Sequence, residues 1–103
     1  MPKMQIEFLQ AAWHDIDRIS DFHLREVGPA SAEKVMEEML DMIELLADHP
    51  YAGALHPDPE LARREYRKLP LTKTYLAIYR VLDSTVYIYR VDNGTTDYPK
   101  LLQ

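Results

Sequence analysis

The sequence has 103 residues, of which 47% are hydrophobic and 28% charged, so it encodes one folded domain over residues 1–103 rather than a disordered or fibrous chain. The absence of cysteine excludes disulfides and cysteine-ligated zinc sites, and no apolar run approaches the roughly 20 residues that cross a bilayer. The formal net charge is −5, and the N-terminus lacks the charged and then apolar layout of a signal peptide. We therefore expect a cytoplasmic protein that does not contact membranes.

The first half of the chain carries helical periodicity. A short alternating segment at residues 4–9 is strand-like, and apolar residues then recur every three to four positions over residues 11–26 and again over residues 30–47. Between the two stretches, Gly28 suits a helix N-cap and Pro29 suits the first helical position. Because the connection is short, the two helices should form an antiparallel hairpin.

The second half of the chain is rich in strand-forming residues. A loop over residues 50–60 holds three of the seven prolines. Three runs rich in Tyr, Val and Ile follow it, at residues 65–69, 73–82 and 85–91. Asp83 and Ser84 form a two-residue hairpin turn between the last two runs. The predicted architecture is two-layer α+β: an N-terminal strand, the helical hairpin packed on a mainly antiparallel sheet of three to four strands, and a short C-terminal tail.

The hairpin register assigns side chains to the two faces of the sheet. Pairing outward from the turn places Tyr79 opposite Ile88 and Ile78 opposite Tyr89. The face with the small Ala77 suits contact with the helices, and we assign to it Tyr75, Ala77, Tyr79, Val81, Val86 and Ile88. The opposite face, called the outer face below, then carries Leu76, Ile78, Arg80, Tyr87, Tyr89 and Val91.

The outer face is apolar and aromatic, and a monomer rarely leaves such a surface bare. Two interpretations remain open. Either the C-terminal tail or a curl of the sheet buries this surface, or a partner polypeptide lies across it. Tyr and Arg commonly anchor protein interfaces, which suits the second interpretation.

Charge divides the chain into two unlike halves. Residues 1–60 hold 4 Lys and Arg against 13 Asp and Glu, whereas residues 61–103 hold 8 against 4. The densest basic cluster consists of Arg63, Arg64, Arg67 and Lys68. This cluster either guards an edge strand against aggregation or meets an acidic partner or nucleic acid.

An ordered series of short motifs along residues 4–98 carries a resemblance to a known family. The series consists of Ala12, Ile16, Ile19 and Phe22; Ala32; Leu45, Leu46, Pro50 and Gly53; Arg67 and Leu69; Tyr75, Ile78, Tyr79, Arg80 and Val81; Val86, Ile88, Arg90 and Val91; and Gly94 and Asp97. In this order and spacing, the sequence resembles the RelE/ParE toxin superfamily of type II toxin–antitoxin systems. The resemblance implies a toxin that a cognate antitoxin neutralises.

The resemblance also implies how the antitoxin binds. In this superfamily the antitoxin typically wraps an acidic, partly disordered segment around the toxin sheet and helices, and pairs of toxin–antitoxin dimers are common. We therefore expect a hetero-oligomer with the antitoxin, with a toxin homodimer as an alternative. The residues assigned to antitoxin binding are Leu76, Ile78, Arg80, Tyr87, Tyr89, Val91, Arg64 and Arg67.

Two mechanisms occur in the superfamily, and the sequence favours one of them. RelE-like members cleave mRNA inside the ribosome with Lys, Arg and Tyr side chains, whereas ParE-like members inhibit DNA gyrase without cutting RNA. The positions that correspond, by the resemblance, to the catalytic residues of RelE-like members are occupied by Leu69, Leu76, and Thr95 or Thr96. An acidic chain also suits rRNA poorly. We therefore favour the ParE-like mechanism.

Two alternatives to that mechanism stay open. A diverged nuclease would stabilise the phosphorane and transfer protons with Arg67, Lys68, Arg80, and Tyr87 or Tyr98. A degenerate toxin would persist as a binding module without toxicity.

The histidines do not indicate a metal centre. His14, His23, His49 and His56 are scattered and show no metal-ligand spacing. We expect neither a metal nor another cofactor.

Overall fold

The computed structural model describes residues 3–94, which fold into three α-helices and one five-stranded sheet. The elements in chain order are β1 (Gln5–Phe8), α1 (Gln10–Glu26), α2 (Pro29–Glu44), β2 (Ala54–Leu55), α3 (Pro59–Arg63), β3 (Arg67–Pro70), β4 (Tyr75–Leu82) and β5 (Thr85–Asn93). The sheet order is β1-β5-β4-β3-β2, with β1 parallel to β5 and the other pairs antiparallel. The α+β class is confirmed. The sheet has five strands where three to four were expected, because the proline-rich loop contributes β2.

The two long helices begin within one residue of their predicted starts and pack against each other. Helix α2 ends at Glu44, and the chain continues as a 3₁₀ turn over Leu45–Ala47. Gly28 caps α2 with a φ of 140°, a backbone conformation that L side chains rarely adopt, and Pro29 opens the helix. The Gly-Pro pair therefore separates two helices that would otherwise merge.

The main hydrophobic core lies between the helices and one face of the sheet, called the inner face below. Its buried members are Ala12, Ile16, Ile19, Val35, Met39, Ile43, Leu46, Leu69, Leu71, Ala77, Tyr79, Val86, Ile88 and Val91. The two helical stripes and the predicted inner residues of β4 and β5 meet here, with Tyr75 and Val81 packed at the margin. Burial of this apolar surface is the main stabilising contribution to the fold.

A β-bulge in β5 changes the predicted register. The turn at Asp83 and Ser84 pairs Tyr79 with Ile88 as expected, but the register shifts beyond that pair, and Ile78 lies opposite Arg90 rather than Tyr89. The extra residue reverses the alternation, so Val91 points inward and is 0% exposed. The assignment of Val91 to the outer face was therefore wrong.

The outer face is partly covered by the same chain. Helix α3 and the short turn after it place Leu61 and Tyr66 over Ile78, which is 0% exposed, and Leu76 and Tyr89 pack against this second cluster. The sequence predicted no helix in the proline-rich loop. Of the two interpretations left open for the outer face, a partner polypeptide across all of it is therefore wrong for the end that contains Ile78, which α3 and Tyr66 cover.

Within residues 3–94, no helix is both long and apolar enough to cross a membrane.

Candidate functional site

Arg80 and Tyr87 lie directly opposite each other on β4 and β5. Their strand neighbours Tyr79 and Ile88 are buried in the inner core, so the alternation of a β-strand directs Arg80 and Tyr87 to the outer face. The cluster beneath α3 reaches Tyr89 but does not include Tyr87. We call Arg80 and Tyr87, which are both partly exposed, the open end of the outer face.

The guanidinium of Arg80 rests on two tyrosine rings. Its Cζ lies 4.9 Å from the centroid of the Tyr66 ring and 5.9 Å from that of Tyr89. The two rings meet edge to face at 5.0 Å, and Nη1 of Arg80 donates a long hydrogen bond of 3.4 Å to Tyr89 Oη. The Nε of Arg80 is buried and finds no hydrogen-bond partner among the described residues. Such an unpaired polar atom is rare in native structures.

The position of Tyr66 depends on how α3 begins. The Asp58 side chain accepts hydrogen bonds from the backbone N–H groups of Glu60 and Leu61, which caps the helix. His56 Nδ1 in turn accepts from Asp58 N at 3.0 Å, and His56 N donates to Tyr66 O at 2.8 Å. Burial lowers the pKa of His56, Lys68 lowers it further, and Asp58 opposes both effects. The imidazole of His56 thus holds the start of α3, and its backbone N–H holds the backbone of Tyr66, whose ring supports Arg80.

Two further basic residues of the predicted site lie near α3. Lys68 is paired with Ile78 in the sheet and therefore shares the outer face with Arg80. Arg64 follows α3, and its Nε forms an exposed ion pair of 3.4 Å with Glu60 Oε1. Lys68 belongs to the site by position, whereas Arg64 lies at its exposed margin.

Arg67 lies on the inner side of the sheet, away from Arg80. It pairs with Tyr79 across the strands, donates from Nη1 to Gly53 O at 2.8 Å, and stacks its guanidinium 4.9 Å from the Tyr51 ring centroid. The Tyr79 hydroxyl donates to Pro50 O and accepts from Gly53 N, each at 2.9 Å. Burial raises the pKa of Tyr79, so the hydroxyl remains a donor. Arg67 therefore holds a structural loop in place, and the predicted grouping of Arg67 with Arg80 was wrong.

The sequence analysis missed a buried carboxylate on α1. Asp15 is 1% exposed and accepts hydrogen bonds from Arg90 Nε at 2.8 Å, Arg90 Nη2 at 2.9 Å, Val91 N at 2.9 Å and Arg18 Nη2 at 2.7 Å. Its position beside Ile16 within the apolar stripe of α1 was the available signal. Four donors satisfy the hydrogen-bonding capacity of the carboxylate. The cluster therefore has a structural role, which is to connect α1 to β5.

The described residues 3–94 contain no group of three or more His, Asp or Glu side chains that could hold a metal ion.

The sequence of the chain matches one protein family over almost its whole length. Residues 6–98 match the family described as the ParE toxin of the type II toxin–antitoxin system parDE. The chain belongs to the ParE toxin family. The predicted resemblance to the RelE/ParE superfamily is thereby confirmed. No curated protein matches the chain significantly.

Solved structures share the fold of this ParE-family toxin. A chain of the chromosomal ParDE system of P. aeruginosa is 24% identical, with a TM-score of 0.75 and coverage of 88% of this chain and 96% of that one. A chain of the RelBE2 complex of Mycobacterium tuberculosis is 22% identical, with a TM-score of 0.66 and coverage of 88% and 98%. A chain of the DinJ-YafQ complex of E. coli is 14% identical, with a TM-score of 0.63 and coverage of 88% and 92%. At these identities the comparisons establish the two-layer fold.

In this ParE-family toxin the positions considered for RNA cleavage do not form one cluster. Leu69 is buried in the inner core, and Leu76 packs on the outer face. Of the diverged set, Lys68, Arg80 and Tyr87 share the outer face, whereas Arg67 lies on the inner side. The remaining candidates, Thr95, Thr96 and Tyr98, lie outside the described residues.

Proposed function

We propose that this ParE-family toxin is held inactive by a cognate antitoxin and, when released, stops growth by binding a target protein such as DNA gyrase rather than by cutting mRNA. Family membership supports the toxin and antitoxin parts of the proposal. Protein contact as the mechanism rests on the side chains at the nuclease positions.

The observation that carries the mechanism is the apolar character of the two strand positions where RelE-like toxins place cationic side chains. RNA cleavage through a 2′-hydroxyl needs a base, an acid and cations around one phosphate. Leu69 and Leu76 provide none of these, and Leu69 is buried under the helices. Arg67 is paired with the inward-facing Tyr79 and therefore lies on the opposite face of the sheet from Arg80, where it donates a hydrogen bond to Gly53 O. Of the described residues considered for RNA cleavage, Lys68 and Arg80 are the cations that lie on the outer face.

The net charge supports protein contact as well. At −5, the chain lacks the surplus of positive charge that normally drives binding to rRNA. Exposed Asp and Glu side chains are concentrated on α2, whose outward positions include Glu37, Glu38, Asp41 and Glu44. A target surface that tolerates an acidic helix is therefore a better match than the ribosome.

A RelE-like nuclease remains the second candidate because Lys68, Arg80 and Tyr87 share one face of the sheet. Two cations and a phenol are the kinds of groups that could stabilise a phosphorane and transfer a proton. This candidate would still need Tyr98 or another residue beyond the described part of the chain as a further participant.

Two assays on the purified chain choose between the candidates. The proposal predicts inhibition of DNA supercoiling by gyrase, with intact mRNA in a cell-free translation reaction. Defined mRNA cuts that disappear in Lys68→Ala and Arg80→Ala would establish the nuclease instead. Before either assay, induced expression should arrest growth, and the antitoxin should relieve the arrest. A chain that binds the antitoxin without arresting growth would be a non-toxic binding module.

A further inference from the structure

We propose that Arg80 is the anchor that receives a carboxylate of the antitoxin on the open end of the outer face. The inference rests on the proposed neutralisation by an antitoxin and adds the chemistry of the contact. It starts from one atom, the buried Nε of Arg80, which has no hydrogen-bond partner among the described residues.

The described surroundings of Arg80 stabilise its positive charge but provide no acceptor for its Nε–H. The rings of Tyr66 and Tyr89 stabilise the cation through their faces, at 4.9 and 5.9 Å. A ring face does not replace the acceptor that Nε–H has lost by leaving water, and the single bond to Tyr89 Oη is long at 3.4 Å. The side chain is therefore positioned and partly dehydrated before any ligand arrives.

Arg90, in the same sheet, provides a comparison because its guanidinium is paired with a carboxylate. Its Nε and Nη2 make paired contacts of 2.8 and 2.9 Å with the two oxygens of Asp15. Arg80 has no such carboxylate, since no ion pair joins it to any acidic residue of the described part of the chain. A planar carboxylate from outside could take the same geometry on Arg80.

Charge and shape select an acidic polypeptide as the occupant. Lys68 shares this face and adds a second positive charge, and residues 61–103 hold 8 Lys and Arg against 4 Asp and Glu. Tyr87, opposite Arg80, offers an aromatic surface for the apolar neighbours of the incoming acid. An antitoxin segment with an Asp or Glu flanked by apolar side chains fits this surface.

The binding test compares Arg80→Met with Arg25→Met. Arg25 lies exposed on α1, so both variants lose one positive charge, but only Arg80 has the buried Nε. Binding to the purified product of the antitoxin gene should weaken about tenfold to hundredfold in Arg80→Met and less than about twofold in Arg25→Met. Replacing each Asp and Glu of the antitoxin by its amide should then reveal one position that matters for the wild-type toxin but not for Arg80→Met. Equal binding by both toxin variants would overturn the inference.

An NMR measurement on the unaltered toxin keeps the inference falsifiable if Arg80→Met fails to fold. The Nε–H signal of Arg80 should shift on addition of the antitoxin and stay in place on addition of a single-stranded polyuridine RNA. A shift with the RNA alone would assign Arg80 to a phosphate, and an unchanged signal with the antitoxin would exclude the contact. Both results overturn the inference while leaving growth arrest and its relief, which test the proposed function, unaffected.

Discussion

Asp15 and Arg90 form a buried ion pair that joins α1 to the sheet, with distances of 2.8 and 2.9 Å between the guanidinium and the two carboxylate oxygens. The same carboxylate accepts the backbone N–H of Val91 at 2.9 Å. Strand β1 ends at Phe8, opposite Ile88, so within residues 3–94 no strand continues the pairing along this edge of β5. Asp15 instead accepts the Val91 N–H at this edge and connects the bulged end of β5 to α1.

Asp15→Asn should lower the free energy of unfolding by about 3 kcal/mol, because it removes the carboxylate charge that pairs with Arg90 at 2.8 Å in a largely buried position. Urea unfolding followed by circular dichroism measures the loss. Asp17→Asn is the matched control, since Asp17 is exposed on the same helix, and it should change the stability by less than about 0.5 kcal/mol. Similar stabilities for the two variants would show that the ion pair contributes nothing net.

Gly53→Ala should destabilise the fold by about 2 kcal/mol. An added Cβ would lie 2.6 Å from Lys68 O and 2.8 Å from the Tyr79 ring, and a backbone carbonyl cannot move aside as a flexible side chain can. Gly94→Ala is the control, because its nearest new contact is Leu76 Cδ2 at 3.9 Å. Thermal unfolding of both variants checks the difference, and a Gly53→Ala protein as stable as Gly94→Ala would contradict the predicted clash.

The stability of the toxin should fall below about pH 6.5 in part because of His56. Burial and Lys68 lower the pKa of His56 below its ordinary value of 6.5, so the unfolded chain takes up the proton first. The contribution of His56 is therefore complete above that pH and is lost as the pH falls towards the lower pKa of the folded state. Protonation also removes Nδ1 as the acceptor for Asp58 N.

Urea unfolding at about pH 7.5 and about pH 5.5 measures this contribution in the wild type and in His56→Gln. The variant retains the other three histidines, so the difference between the two pH dependences belongs to His56. The wild type should lose more stability than the variant between the two conditions. An identical loss in both proteins would rule out the assigned role of His56.

Tyr87→Asp should weaken antitoxin binding while the toxin stays folded. Tyr87 is partly exposed opposite Arg80, so the new carboxylate can occupy Arg80 in place of the antitoxin. Ile88→Asp, one residue along the strand, should unfold the domain instead, because it buries an unpaired charge in the inner core. Circular dichroism and antitoxin binding separate the two outcomes. Unfolding of Tyr87→Asp would mean that Tyr87 packs as core.

Tyr89→Asp should behave differently from Tyr87→Asp. Tyr89 packs with Tyr66 and supports Arg80, so its replacement should reduce both stability and antitoxin binding. Thermal unfolding alongside the binding measurement tests this distinction. Loss of binding without any loss of stability would show that Tyr89 acts as an interface residue alone.

Periodicity and turn chemistry predicted most of the fold because they report on local structure. The 3.6-residue pattern located α1 and α2 within one residue at their starts, Gly28 and Pro29 marked their boundary, and Asp83-Ser84 set the first pairs of the β4–β5 hairpin. The alternation of side chains along β4 and β5, counted from that turn, placed Arg80 and Tyr87 on the outer face. Each of these features depends on residues that are neighbours in the chain, so the sequence alone contains the information.

What only the tertiary structure decided are the contacts between distant segments. The bulge that turns Val91 inward, the placement of Leu61 and Tyr66 over Ile78, and the separation of Arg67 from Arg80 lie outside any local pattern. The bulge accompanies the pairing of Asp15 with Arg90 and the Val91 N–H, across 75 and 76 positions of the chain. Buried polar groups must find partners wherever the fold brings them together. Only the folded chain shows which groups do so, and that Arg80 Nε finds no acceptor within residues 3–94.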